Sequence, residues 1–195
     1  MVVRITYYNH LNSINDNTLK EQLLAMSEEV VDLSDQLQHA DLNKDERLRH
    51  QASERLRYLG GELLEMSSQA QGDDLAYAQF VTGSVCSLLG YWQKAEESYR
   101  AALRRWPDHV GILNELFDAL VALKKHDEAL VVVRSSMKYG GETPLLMRNH
   151  ASILVHLGRT SEARLELIKA TARYPEDREC RSWLAMIDSL QGRSS

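Results

Sequence analysis

Asp41, Asn43 and Asp45 alternate in DLNKDE at 41–46, the spacing with which a calcium loop begins its set of oxygen ligands. That chemistry also needs a glycine to turn the loop and a bidentate carboxylate to close it. No glycine follows Asp45, and Ala52 stands where the glutamate belongs, so the stretch reads as a helix cap. The seven histidines form no HExxH pair, and His150 and His156, six apart, fall on different faces of a helix. Cys86 and Cys180 have neither CxxC spacing nor a ligand beside them, and read as small hydrophobes in a reducing compartment. No P-loop, dinucleotide fingerprint, GxSxG turn or Cys-His nucleophile occurs. The residues thus offer no catalytic group, no metal set and no cofactor site, and the chain is expected not to be an enzyme.

Function must then come from surfaces, and surfaces from the elements that carry them. Three prolines and ten glycines in 195 residues, with abundant Leu, Ala, Glu, Arg and Gln, favour helix throughout, and no run alternates as a strand does. An all-α fold is expected. The opening MVVRITYYNHLNS lacks the long apolar core of a secretory signal and cannot span a bilayer, so an uncleaved, cytoplasmic chain that does not enter a membrane is expected. Residues 1–75 hold 7 Lys+Arg against 14 Asp+Glu, and residues 76–195 hold 16 against 14. Neither part has the strongly basic face of a nucleic-acid binder; Arg100, Arg104 and Arg105 read as a solvated helix flank.

Behind a tail at 1–15, two amphipathic helices are expected over 16–75. Leu19, Leu23, Met26, Val30, Leu33 and Leu37 form one narrow apolar seam; Leu48, Ala52, Leu56, Leu59, Leu63, Met66 and Ala70 form the other. Thr18 with Glu21 and Asn43 with Glu46 have capping-box spacing at the two starts. Gly60-Gly61 predicts a kink or break in the second helix. The seams can close on each other, cover the apolar side of the helices beyond residue 75, or join two copies as a homodimer through 16–70.

From residue 76 the pattern changes to a repeat. LGYWQKAEESYRAALRRWPD at 89–108 and LGRTSEARLELIKATARYPED at 157–177 carry Gly, Ala, a large side chain, Ala and Pro in the same order. Counting back from Pro107 and Pro175 gives units of 34 residues at 76–109, 110–143 and 144–177. Each predicts two antiparallel helices, with small residues such as Gly83 and Ala95 where their axes cross, Tyr99 filling the space one turn on, and proline as the stop. The last stretch, 178–195, predicts a single capping helix with Trp183, Leu184, Ile187 and Leu190 on one face.

Gly83, Ala95, Tyr99, Ala102 and Pro107, with Gly158, Ala163, Leu167, Ala170 and Pro175, resemble the pattern of the tetratricopeptide repeat; the middle unit is weaker and has Gly141 in place of proline. The resemblance implies an α-solenoid of three helix pairs that acts as a protein-binding scaffold or adaptor. Its partner would be a protein or peptide segment held in the concave groove lined by the first helix of each pair. Matching the family's groove positions assigns partner binding to Tyr77, Phe80, Ser84 and Leu88, then Asn114 and Asp118, then Arg148 and Ser152. Tyr77 and Phe80, three apart on one face, would anchor an apolar side chain of the partner, and Arg148 would hold a carboxylate. The carboxylate clamp of chaperone adaptors has no counterpart, since Phe80, Ser84, Glu115, Leu145 and Asn149 occupy its positions. Two alternatives share this layout: a bacterial secretion-type chaperone, and an oligomeric assembly scaffold built through the N-terminal helices.

Overall fold

A computed structural model describes residues 17–192, with side chains from Leu19 to Ser189; the expected tail at 1–15 and residues 193–195 lie outside the described residues. Every regular element among the described residues is an α-helix, as the composition implies. None of these helices is long and apolar enough to cross a membrane. The helices fall into two compact units, one ending at Pro107 and the other beginning at Asp108.

The first unit comprises α1 (Asn17–Asn43), α2 (Glu46–Gln69), α3 (Gly72–Leu88) and α4 (Trp92–Leu103). The two N-terminal seams close on each other: Leu23, Met26, Val30 and Leu33 of α1 and Ala52, Leu56, Leu59 and Leu63 of α2 are all buried. Both helices also pack on α3. The Tyr77 hydroxyl of α3 donates to Ser27 Oγ of α1 at 2.8 Å, and Gly60 of α2 lies against Val85 of α3.

Local details differ from expectation for physical reasons. α1 is described from Asn17 onward, so Thr18 stands within the helix rather than ahead of it. Asn43 does not cap α2: it ends α1, and its Nδ2 donates to the His39 carbonyl at 2.9 Å. Lys44 then takes a left-handed conformation (φ 55°), and Asp45 becomes the N-cap, accepting from the Leu48 amide at 3.0 Å. The DLNKDE stretch therefore does cap a helix, two residues later than its Asn-x-x-Glu spacing suggests. α2 runs unbroken through Gly60-Gly61 despite the roughly 1 kcal/mol cost of each glycine, with Gly60 resting against Val85 of α3.

In the α3–α4 pair the crossing point is Gly83 on the Tyr99 ring. A β-carbon at Gly83 would stand 2.5 Å from Cε1 and 2.6 Å from Cδ1 of that ring. Ala95, Tyr99 and Ala102 are fully buried on α4, so the small residues do let two helices meet around one aromatic plug. Asp73 ties the ends of the pair, accepting from Trp106 Nε1 at 3.1 Å and Arg105 Nε at 2.6 Å.

The second unit comprises α5 (Val110–Ala122), α6 (His126–Gly140), α7 (Pro144–His156), α8 (Thr160–Arg173) and α9 (Arg178–Gly192), each packed on the next. Gly141 (φ 77°) ends α6, and Thr143 caps α7, which has Pro144 at its start. The α9 helix buries Cys180 and Ile187, with Cys180 packed in a cluster with Met147 and Ala170; Trp183 and Leu184 are half-buried, and the Leu190 side chain lies outside the described residues.

A 34-residue period is visible in the turns. Gly90, Lys124 and Gly158 are all left-handed (φ 75°, 58° and 73°), each closing the first helix of a pair. The next amide donates six-to-one to Cys86, Leu120 and Leu154 carbonyls at 2.8, 2.9 and 2.8 Å. Lys124 is the one of the three that carries a β-carbon into this region, which costs an L-residue about 1–2 kcal/mol, partly offset by glycine's larger unfolded-state entropy. Lys124→Gly is therefore expected to raise the unfolding free energy by about 0.5–1 kcal/mol. The check is the urea midpoint at unchanged m-value, which should rise; a fall would mean that the lysine side chain contributes more than the strain removes.

Candidate functional site

The expected groove residues sit in very different surroundings. Tyr77 and Phe80 are not open to solvent: they are 2% and 3% exposed, and the two rings contact each other while Phe80 also packs on Tyr99. The expectation of a solvent-facing aromatic anchor is corrected here, because α1 lies over this face of α3 and Ser27 takes the Tyr77 hydroxyl. Ser84 is half-buried and donates back to the Phe80 carbonyl at 3.3 Å. Asn114 accepts from the buried Ser136 hydroxyl at 2.6 Å, so it holds α5 to α6. Ser152 is half-buried on α7.

Arg148 is not free to receive a partner's carboxylate either. Its guanidinium, 13% exposed, holds Asp177 at 3.2 Å and Glu179 at 2.5 Å, which join α7 to the start of α9. Asp177 also accepts from the Cys180 amide at 2.7 Å, and that bond, with Arg148 beside it, keeps its carboxyl below the usual carboxylate range.

Asp118 of α5 is exposed, yet the protein around it strips enough water from the carboxylate to push its pKa up to about 6. In the folded chain it therefore binds a proton below about 6 that the unfolded chain releases down to roughly 4. Stability contributed this way falls as pH rises through that window, opposite in sign to a salt-bridged aspartate. A carboxyl-carbon NMR titration is expected to place Asp118 near 6, and Asp118→Asn should flatten the pH dependence of stability between about 4 and 6. A midpoint at an ordinary carboxylate value would refute this.

Leu88 leads to a site that is open. Together with Ser87, Leu89, Gly90 and Trp92 at the α3–α4 turn, it lines a cleft of about 730 Å³ in the first unit. The turn depends on the left-handed Gly90, which lets the chain reverse and present Leu89 and Trp92 to the same opening. One wall comes from α1, whose Ser34, Leu37, Gln38 and Asp41 follow the i, i+3, i+4, i+7 spacing of one helical face. Leu42 continues this wall and is 77% exposed, a large apolar side chain left uncovered among the described residues. The other wall is the α2 stripe Arg49, Ser53 and Arg57, each four residues from the last.

The charges at the cleft are held by exposed surface partners. Arg49 Nε and Nη2 donate to Asp41 Oδ1 at 2.9 and 2.5 Å across the rim. Arg57 pairs with Glu54 and, through the Tyr91 hydroxyl beside it, is held above its usual range. The three would-be calcium ligands are thereby accounted for: Asp41 faces Arg49, Asn43 closes α1 and Asp45 caps α2. Among the described residues no group of three or more His, Cys, Asp or Glu is placed to hold a metal.

Sequence reasoning assigned Leu88 to a groove along the first helices of the pairs, not to this cleft, and did not single out Leu42, Arg49, Arg57 or Trp92. The four-residue spacing of Arg49, Ser53 and Arg57 was visible; that α3 and α4 would present a turn opposite it was not.

No protein-family model matches the chain, and no curated protein does. Solved structures do resemble it. The MamA RS-1 ArsTM double mutant aligns at 13% identity over 86% of this chain and 85% of that chain, with a TM-score of 0.64. BtubC (BKLC) from P. vanneervenii aligns at 16% identity over 91% and 85%, TM-score 0.61. TTC0263, a thermophilic TPR protein in Thermus thermophilus, aligns at 17% identity over 85% and 93%, TM-score 0.55. With the 34-residue recurrence of left-handed turns and the small-residue crossing at Gly83, these likenesses establish that the chain has the fold of the tetratricopeptide-repeat proteins.

Proposed function

We propose that the chain is a protein-interaction module that seats an apolar anchor of a partner segment in the cleft of its first unit. The observation that carries this reading is Leu42, 77% exposed on the rim of an open cleft lined also by Leu37, Leu88, Leu89 and Trp92. Apolar side chains left in water at a concave site favour a partner that covers them, at roughly 25 cal/mol per Å² of apolar surface removed from solvent. A cleft of this volume, open to solvent, has room for a few side chains along one face of a peptide or helix. The fold supports the same class of function, since it presents helix faces to a partner. In this reading the helix pairs are repeat units at 76–109, 110–143 and 144–177, with 16–75 forming both walls of the site and 178–195 capping the last unit.

The test is capture of the native partner by immobilised wild-type chain and by Leu42→Glu, a change at an exposed position that should leave helicity and melting unaltered. Loss of a partner that the wild type retains supports the cleft. Retention at wild-type level by Leu42→Glu and by Leu42→Glu/Trp92→Ala would move the binding surface elsewhere.

A further inference from the structure

We infer that the segment bound in this cleft is acidic, and that the α2 stripe Arg49–Ser53–Arg57 reads its carboxylates; the inference rests on the cleft being the binding site.

The charge distribution points this way first. The chain carries a net charge of −5, and residues 1–75 hold twice as many acidic as basic residues. Five of the seven cations in that stretch nevertheless fall between Lys44 and Arg57, against three acidic residues there, and two of the five line the cleft, where Arg49 faces Asp41 and Arg57 pairs with Glu54. A local positive edge within an acidic surface favours an anionic segment and repels a basic one.

Geometry points the same way. Arg49 and Arg57 are eight residues apart on one helix face, a separation of about 12 Å at 1.5 Å rise per residue. An amphipathic partner helix with glutamates seven or eight residues apart can reach both, with Ser53 between them as a hydroxyl donor. Asp41 stands in for such a ligand: both Nε and Nη2 of Arg49 converge on its Oδ1, so the guanidinium edge is already presented to a carboxylate at the rim. That internal pair is half exposed on both sides, 53% and 54%, and exposed ion pairs of this kind are readily exchanged for another carboxylate. The facing α1 wall supplies Leu37 and Leu42, and the α3–α4 turn supplies Leu88, for the apolar edge of the same helix.

The experiment uses the full chain and three fluorescein-labelled, C-terminally amidated synthetic helices. They share one leucine edge and carry Glu, Gln or Lys at two positions eight residues apart. Fluorescence anisotropy at low salt is expected to show the Glu helix binding about tenfold more tightly than the Gln helix, with the Lys helix weakest. The advantage should shrink as salt rises. Arg49→Gln/Arg57→Gln, checked for unchanged melting, should abolish the difference between Glu and Gln helices. Asp41→Asn, which releases Arg49 from its internal partner, should tighten the Glu helix about three- to fivefold. Equal binding of Glu and Gln helices, or a Glu preference that survives the double arginine variant, would overturn the acidic reading and leave the cleft standing. Failure of all three helices to bind would overturn the cleft as well.

Discussion

Gly83→Ala is expected to destabilise the chain by about 1–3 kcal/mol, and Tyr99→Ala by about 3–5 kcal/mol. The two effects have one cause. The Gly83 α-carbon rests on the Tyr99 ring so closely that a β-carbon would meet Cε1 at 2.5 Å and Cζ at 3.0 Å, well inside van der Waals contact. The ring is fully buried and packs at a tilt on Phe80, so it has little room to retreat. Removing the ring instead leaves a cavity at the centre of the first unit, bounded by α3 and α4. Urea unfolding of both single variants and of Gly83→Ala/Tyr99→Ala measures the coupling. The double variant should be more stable than the sum of the single effects predicts, because the new methyl enters the space the ring has left. Additive losses would show that the clash at Gly83 relaxes without moving Tyr99.

Removal of residues 1–70 should lower the melting temperature of α3 and α4 and expose apolar surface. Tyr77 and Phe80 are buried in a region where α1 and α2 pack on α3, and the Tyr77 hydroxyl depends on Ser27. Uncovering two such rings forfeits about 3–6 kcal/mol at about 1.5–3 kcal/mol each, a large share of the net stability of a domain. Trp92 and Trp106 report on this unit, so fluorescence melting of the truncated chain with Trp183→Phe isolates the signal. An unchanged transition, with no gain in binding of a hydrophobic dye, would show that α3 and α4 form a self-sufficient pair. The same burial bears on the homodimer expected through 16–70: the seams that would join two copies are closed inside one chain.

Much of the architecture was legible in the residues because it depends on short-range energetics. Helix is favoured or disfavoured by each residue and its neighbours three and four positions away, so composition and period reveal it. The 34-residue recurrence is equally local: a left-handed residue ends the first helix of each pair, and Gly90 and Gly158 are the type that takes that conformation without strain. The small residue at Gly83 and the large one at Tyr99 are sixteen positions apart within one helical pair, close enough for their partnership to be read from the pattern. Even the local misreading at Asn43 was a matter of two residues, decided by the left-handed turn at Lys44.

The state of the candidate site was settled by contacts between distant parts of the chain. That Tyr77 and Phe80 share a face follows from their spacing; whether a partner or the chain itself covers that face does not, because the covering group, Ser27, lies 50 residues away. Arg148 likewise shows a guanidinium on the right helix, and only the fold brings Asp177 and Glu179 from the start of α9 to occupy it. Conversely, nothing in the spacing of Leu42 on α1 or of Arg49 and Arg57 on α2 marks a site until the turn at Leu88–Gly90 stands opposite them. Spacing along a helix specifies which side chains travel together, whereas solvent access is a property of everything packed around them, and here that packing closed the expected anchor and opened a different cleft.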